Sequence, residues 1–159
     1  LLIKKNKGNL TGWLAYTYSR SFQKMDGEFP EEKINSGNWY RSNYDKPHDF
    51  TLVTNYRVSR RFTFSSNFTY STGRPTTLPE QKYKLNNYEI VRYSDRNKYR
   101  LPDYHRLDLA LTYEGSLLKK QKWRSSWTFS IYNVYARNNT FSVFYEKQKP
   151  SKSHMCFEG

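Results

Sequence analysis

Two groups of side chains carry the chemistry of a reactive site. Asp45, His48 and Asp49 lie close together, and Asp103 stands just ahead of His105. Carboxylate and imidazole in company can hold a metal or move protons. Their spacing matches no established zinc or calcium pattern, and no serine occupies the context that a Ser-His-Asp hydrolase needs. They read as rim residues that cap strand ends by hydrogen bonding. No catalytic residue, metal ligand or cofactor is assigned, and the chain is not expected to be an enzyme. A second chemistry is recognition by aromatic faces, which stack on sugars, peptides and ring systems at little entropic cost. Trp39, Tyr40, Tyr83, Tyr88 and Tyr93 lie in aperiodic stretches and are the candidate ligand-binding residues.

Those stretches are held between strands. From Phe50 to Thr72 two runs alternate with a period of two, joined by Ser59, Arg60 and Arg61. Phe50, Leu52, Tyr56 and Val58, then Phe62, Phe64, Phe68 and Tyr70, form one face. Thr51, Val53, Asn55 and Arg57, then Thr63, Ser65, Asn67, Thr69 and Ser71, form the other. The same alternation predicts strands at about 10–22, 48–58, 62–72, 104–113 and 123–145, the last with a bulge or kink near 133–139. The loops at 23–47 and 73–103 are long and aperiodic, and 146–159 reads as another. Loops of such length usually signal function or disorder. No helical period occurs.

Composition limits what the apolar face can touch. The hydrophobic fraction is 36%, while Tyr, Phe and Trp make up 18%; average chains hold about 45–50% apolar residues with glycine included. The aliphatic residues are too few and too dispersed to fill a soluble core. A net charge of +13 raises nucleic acid or an anionic surface as a partner. The basic residues instead gather in turns, such as Lys4, Lys5 and Lys7, Arg60 and Arg61, and Lys119, Lys120 and Lys122, with no accompanying nucleic-acid motif. A single cysteine, Cys156, excludes an intrachain disulfide framework. No signal peptide or run long enough for a transmembrane helix is present.

Three features favour strands that cross a bilayer. The runs approach the roughly 9–11 residues needed by a tilted spanning strand. Connections alternate long and short, which puts the long ones at one end of the sheet, as in outer-membrane barrels. Aromatic residues cluster near the ends of the apolar stripes, where interfacial girdles belong. Ser, Thr, Asn, Arg and Asp on the opposite face suit a watered or plugged lumen. Arg57, Arg106 and Arg124 on that face could meet a plug, although a lumenal arginine paired with Asp108 or solvated by water is the simpler account. Five strands cannot close a barrel, and open edges in lipid leave backbone groups unsatisfied. The chain is therefore expected to be part of a larger barrel.

Several segments resemble the C-terminal barrel region of TonB-dependent outer-membrane receptors, in particular the Bacteroidetes type with a carboxypeptidase-regulatory-like domain ahead of its plug. They are Thr11 to Ser19, Tyr44 to Phe50, Tyr70 to Pro79, Leu101 to Leu109 and Trp127 to Asn138. The resemblance implies an all-β, antiparallel up-and-down meander that forms a partial transmembrane β-barrel, residues 1–159 being a C-terminal fragment. It implies the outer membrane of a Gram-negative bacterium as the location. Partners would be outer-membrane lipid, the rest of the barrel and plug, the TonB system through the missing N-terminal part, and a nutrient ligand. The complete form would import a siderophore, cobalamin, glycan or peptide, and no nucleic acid is expected. The rival readings are an outer-membrane barrel hydrolase and a soluble basic β-domain that binds nucleic acid.

Overall fold

The computed structural model describes residues 1–85, 88–115, 125–144 and 156–158, with the backbone alone at 85, 144 and 156–158. The chain is all-β, and the described residues contain no α-helix. In chain order the strands are β1 (Leu2–Lys5), β2 (Leu10–Tyr18), β3 (Phe22–Gln23), β4 (Tyr40–Arg41), β5 (His48–Arg57), β6 (Phe62–Ser71) and β7 (Pro75–Thr76). They continue with β8 (Pro79–Leu85), β9 (Tyr88–Tyr93), β10 (Tyr99–Arg100), β11 (Tyr104–Glu114), β12 (Ser126–Ile131), β13 (Ser142–Phe144) and β14 (Cys156–Glu158). Two compact units divide the chain. A strand unit takes residues 1–17, 48–71 and 104 onward, and a loop unit takes 18–47 and 72–103.

In the strand unit six strands form one antiparallel sheet in the order β1-β2-β5-β6-β11-β12. Each successive long strand lies beside the one before it, as in a meander. The register aligns the alternation across the strands. Phe50, Tyr70 and His105 share one row, and Leu52, Phe68 and Leu107 the next. Thr54, Ser66, Leu109 and Ile131 follow, then Tyr56, Phe64, Leu111 and Phe129, and finally Phe62, Tyr113 and Trp127. Rows of the other face read Thr51-Thr69-Arg106, Val53-Asn67-Asp108, Asn55-Ser65-Ala110-Ser130 and Arg57-Thr63-Thr112-Thr128. A slip of one residue in any pairing would mix the two faces. Leu52, Phe68 and Leu107, then Leu109 and Ile131 beside Thr54 and Ser66, make up the middle of this face, and aromatic side chains gather toward its two ends.

Local chemistry sets the turns. The Ser59 hydroxyl accepts from the amides of Arg61 and Phe62, both at 3.2 Å, which closes the β5–β6 hairpin. At Gly12, β2 passes so near β5 that a Cβ would lie 2.1 Å from the carbonyl oxygen of Val53. Only glycine allows that approach.

The strand expected at 123–145 is divided, and its ends at 123–124 and 145 lie outside the described residues. β12 pairs with β11 as far as Ile131. Beyond it, Asp108 Oδ1 accepts the Asn133 amide at 3.0 Å, and Asn133 and Ala136 adopt positive φ. The Asn139 side chain brackets the His105 backbone, donating to its carbonyl at 3.0 Å and accepting its amide at 3.2 Å. Carboxylate and amide side chains here take over backbone partners that a ladder would use. β13 then pairs with β14. β1, which had no expectation, adds the sixth strand, and β2 stops at Tyr18 rather than near 22.

The sheet is a single layer. Among the described residues one large hydrophobic side chain is buried, Tyr40, and it belongs to the loop unit. Trp127, Phe129 and Ile131 on β12 are 63%, 72% and 62% exposed. Phe64 and Leu111 of the same face are exposed as well, and Leu52, Phe68, Leu107 and Leu109 are half-buried.

Candidate recognition site

The loop unit is built around Asp45, which is fully buried. Its Oδ1 accepts the Ser21 amide at 3.0 Å and Arg20 Nε at 3.1 Å. Its Oδ2 accepts Arg100 Nη2 at 2.6 Å, while Arg100 Nη1 donates to the carbonyls of Asp45 and Gly73 at 2.7 and 2.8 Å. Burial pushes the Asp45 carboxyl upward. The hydrogen bonds from Ser21, Arg100 and Arg20 outweigh it and hold the group below its ordinary value. Arg20 also lies over the Phe22 ring, 4.7 Å from its centroid. One carboxylate therefore fastens segment 18–47 to segment 72–103.

Two asparagines repeat the link. Asn35 Oδ1 accepts the Arg96 amide at 2.7 Å and its Nδ2 donates to the Arg96 carbonyl at 3.1 Å. Asn97, at positive φ, donates through Nδ2 to the Arg41 carbonyl and to Asn43 Oδ1 at 2.6 and 2.7 Å. Asparagine tolerates this left-handed backbone and supplies both donor and acceptor. At Gly73 a Cβ would lie 1.8 Å from the Leu101 carbonyl oxygen. The stretch expected to be aperiodic holds short ladders, β7 with β10 and β8 with β9. Glu80 joins them, accepting from Lys98 Nζ at 2.8 Å and Tyr99 OH at 2.9 Å. Those bonds, Lys98 first, lower the Glu80 carboxyl.

All five candidate ligand-binding residues fall in this unit, in three different settings. Tyr83 stands opposite Ile90, and Tyr88 opposite Leu85, so Tyr83 and Tyr88 share one face of the β8–β9 hairpin. Tyr93 belongs to the other face. Tyr88, Tyr93 and Trp39 are 77%, 61% and 70% exposed. Tyr40, by contrast, is buried and pairs opposite Gln23 in the β3–β4 ladder. Tyr44, beside Asp45, is largely open to solvent and was not among the candidates. Its position in the Tyr44-Asp45 pair was the only local signal.

The acid and histidine residues do not form one centre. Asp45 serves the loop unit, and Asp103 Oδ1 accepts the Gly73 amide at 2.9 Å. In the strand unit His48 Nδ1 meets Tyr16 OH, and His105 Nδ1 meets Tyr135 OH, both at 2.8 Å. Among the described residues no three of His, Cys, Asp and Glu gather to hold a metal ion. On the polar face Arg106 pairs with Asp108 through Nε and Nη2 at 3.0 and 2.9 Å, and lies over the Tyr132 ring while donating to its hydroxyl. Asp108 thus holds both Arg106 and the turn at Asn133.

The chain matches no protein-family description, no curated protein and no solved structure.

Proposed function

We propose that the chain is a section of an outer-membrane β-barrel wall, belonging to a TonB-dependent receptor whose complete form binds a large nutrient and imports it with energy coupling. The observation that carries the membrane part is the register. It gathers the apolar side chains of β5, β6, β11 and β12 on one face, with aromatic residues toward both ends and Phe64, Leu111, Trp127, Phe129 and Ile131 exposed on it. Lipid covers such a face without the interlocking aliphatic core that the chain lacks. From His105 to Tyr113 the strand rises ~27 Å at ~3.4 Å per residue. A tilt of about 40° reduces this to roughly 20 Å, close to the ~25 Å apolar band of a spanning barrel. The Ser, Thr, Asn and Arg106–Asp108 rows suit a watered lumen.

The edges β1 and β12 need partners in lipid, which the remaining strands of the parent barrel would supply. The receptor assignment rests on the five family-like segments. In it the loop unit, with Trp39, Tyr83, Tyr88 and Tyr93, receives the nutrient. Fractionation tests the membrane part: the chain is expected with the outer membrane and soluble only in detergent. A monodisperse protein in detergent-free buffer would overturn it. The receptor part is tested by the reading frame that encodes the chain, which is expected to hold a plug upstream and a closing strand downstream.

A further inference from the structure

The topology sorts the charge of the strand unit. The connections β1–β2 and β5–β6 and the end of β11 lie at one end of the sheet. The described side chains there include Lys4, Lys5, Lys7, Arg57, Arg60 and Arg61, all exposed, against one acidic residue, Glu114. At the other end Arg106 and Arg137 are balanced by Asp49 and Asp108. Neighbouring strands are ~4.8 Å apart, so the basic row from β1 to the β5–β6 turn extends over ~15 Å. Among the described residues no ion pair engages any of the six.

This row borders the aromatic end of the apolar face. Phe62 and Tyr113 are in ring contact at 5.1 Å beside Trp127, and Arg61 Nη1 donates to Tyr113 OH at 3.4 Å. By alternation Lys5 shares a face with Ile3, which stands opposite Leu14. Aromatic residues in a membrane wall settle at headgroup depth, and cations adjoining them meet phosphate there. A nucleic acid in water would have to approach the same cations past an uncovered apolar edge.

We propose that the short-turn rim is a docking surface for anionic phospholipid headgroups, with Lys5, Arg60 and Arg61 as its central cations. The proposal rests on the reading of the apolar face as lipid-facing and adds a leaflet preference to it. Basic residues near an anionic surface each strengthen attachment to it, so the rim should favour anionic over neutral lipid by at least ~tenfold, a preference that salt removes.

The test is flotation of the purified chain with vesicles of phosphatidylcholine alone and of phosphatidylcholine mixed with phosphatidylglycerol. Expected are binding to both, at least ~tenfold tighter binding to the mixed vesicles at low salt, and loss of that difference at high salt. The triple variant Lys5→Gln, Arg60→Gln, Arg61→Gln should bind both vesicles like the neutral ones. The variant Lys82→Gln, Lys84→Gln in the loop unit should keep the preference. If the triple variant does not fold, the salt dependence of the unaltered chain decides. Equal binding to both vesicles overturns the rim and leaves the lipid-facing wall standing. Binding to neither overturns the wall and the rim together. A preference that survives in the triple variant, or tighter binding to a single-stranded oligonucleotide than to the mixed vesicles, overturns the rim.

Discussion

Replacing Asp45 by Asn keeps the volume of the side chain and removes its charge. The variant leaves Arg20 and Arg100 facing an amide that can no longer accept from both as an anion. Breaking a buried ion pair costs about 3–5 kcal/mol. The arginine side chains retain 35% and 22% exposure, so water relieves part of the loss and the lower figure applies, ~3 kcal/mol. Hydrogen exchange read by mass spectrometry on detergent-solubilised protein reports the result by segment. Peptides from 18–47 and 72–103 should exchange about a hundredfold faster, since ~1.4 kcal/mol is a factor of ten. Peptides from β5, β6 and β11 should change little. The same bonds hold the Asp45 carboxyl below its ordinary value, so their stabilisation is present above the usual carboxylate range and is lost as pH falls through the lowered value. Acid should therefore loosen the loop unit of the unaltered chain, after correction for intrinsic exchange, and should not loosen the Asp45→Asn variant further by this route. Unchanged exchange in the two loop segments, or equal acceleration in the strands, would refute the assignment of Asp45 as their fastening.

Other substitutions separate the two faces and the turns. Leu109→Lys, in the middle of the apolar rows, should cost about 2–4 kcal/mol in denaturant unfolding from lipid, whereas Ser130→Lys on the polar face should cost under ~1 kcal/mol. Equal costs would mean that lipid does not cover the apolar face. Gly12→Val drives a side chain onto the Val53 carbonyl and should destabilise the β2–β5 pairing by at least ~1–3 kcal/mol, seen as a lower denaturant midpoint. Asn139→Ala removes both bonds to the His105 backbone and should cost ~2 kcal/mol, with faster exchange confined to 132–139 and the start of β11.

How far the sequence reached is clearest in β5 and β6. Their bounds and faces follow from alternation, because the pleat puts successive side chains on opposite sides whatever the partner strand. The short turn at Ser59 was legible for the same local reason. β1 was not, since Leu2, Ile3, Lys4 and Lys5 carry no alternation and become a strand only by pairing with β2. The division after Ile131 depends on Asp108 and Asn139 reaching across to another strand.

The recognition residues show the same limit. Trp39 and Tyr40 are neighbours of similar chemistry, yet one is exposed and the other is buried. Asp45 resembled a possible catalytic acid beside His48; its partners Arg20 and Arg100 lie 25 and 55 residues away. The sequence by itself determined which side chains share a strand face, which connections are long, and that no ordinary aliphatic core could form. Tertiary structure alone decided the register that aligns those faces into one apolar layer, and the ion cluster that makes two distant connections a single unit. Alternation is a property of neighbouring residues, whereas register and buried ion pairs are chosen by groups that meet only after the chain has folded.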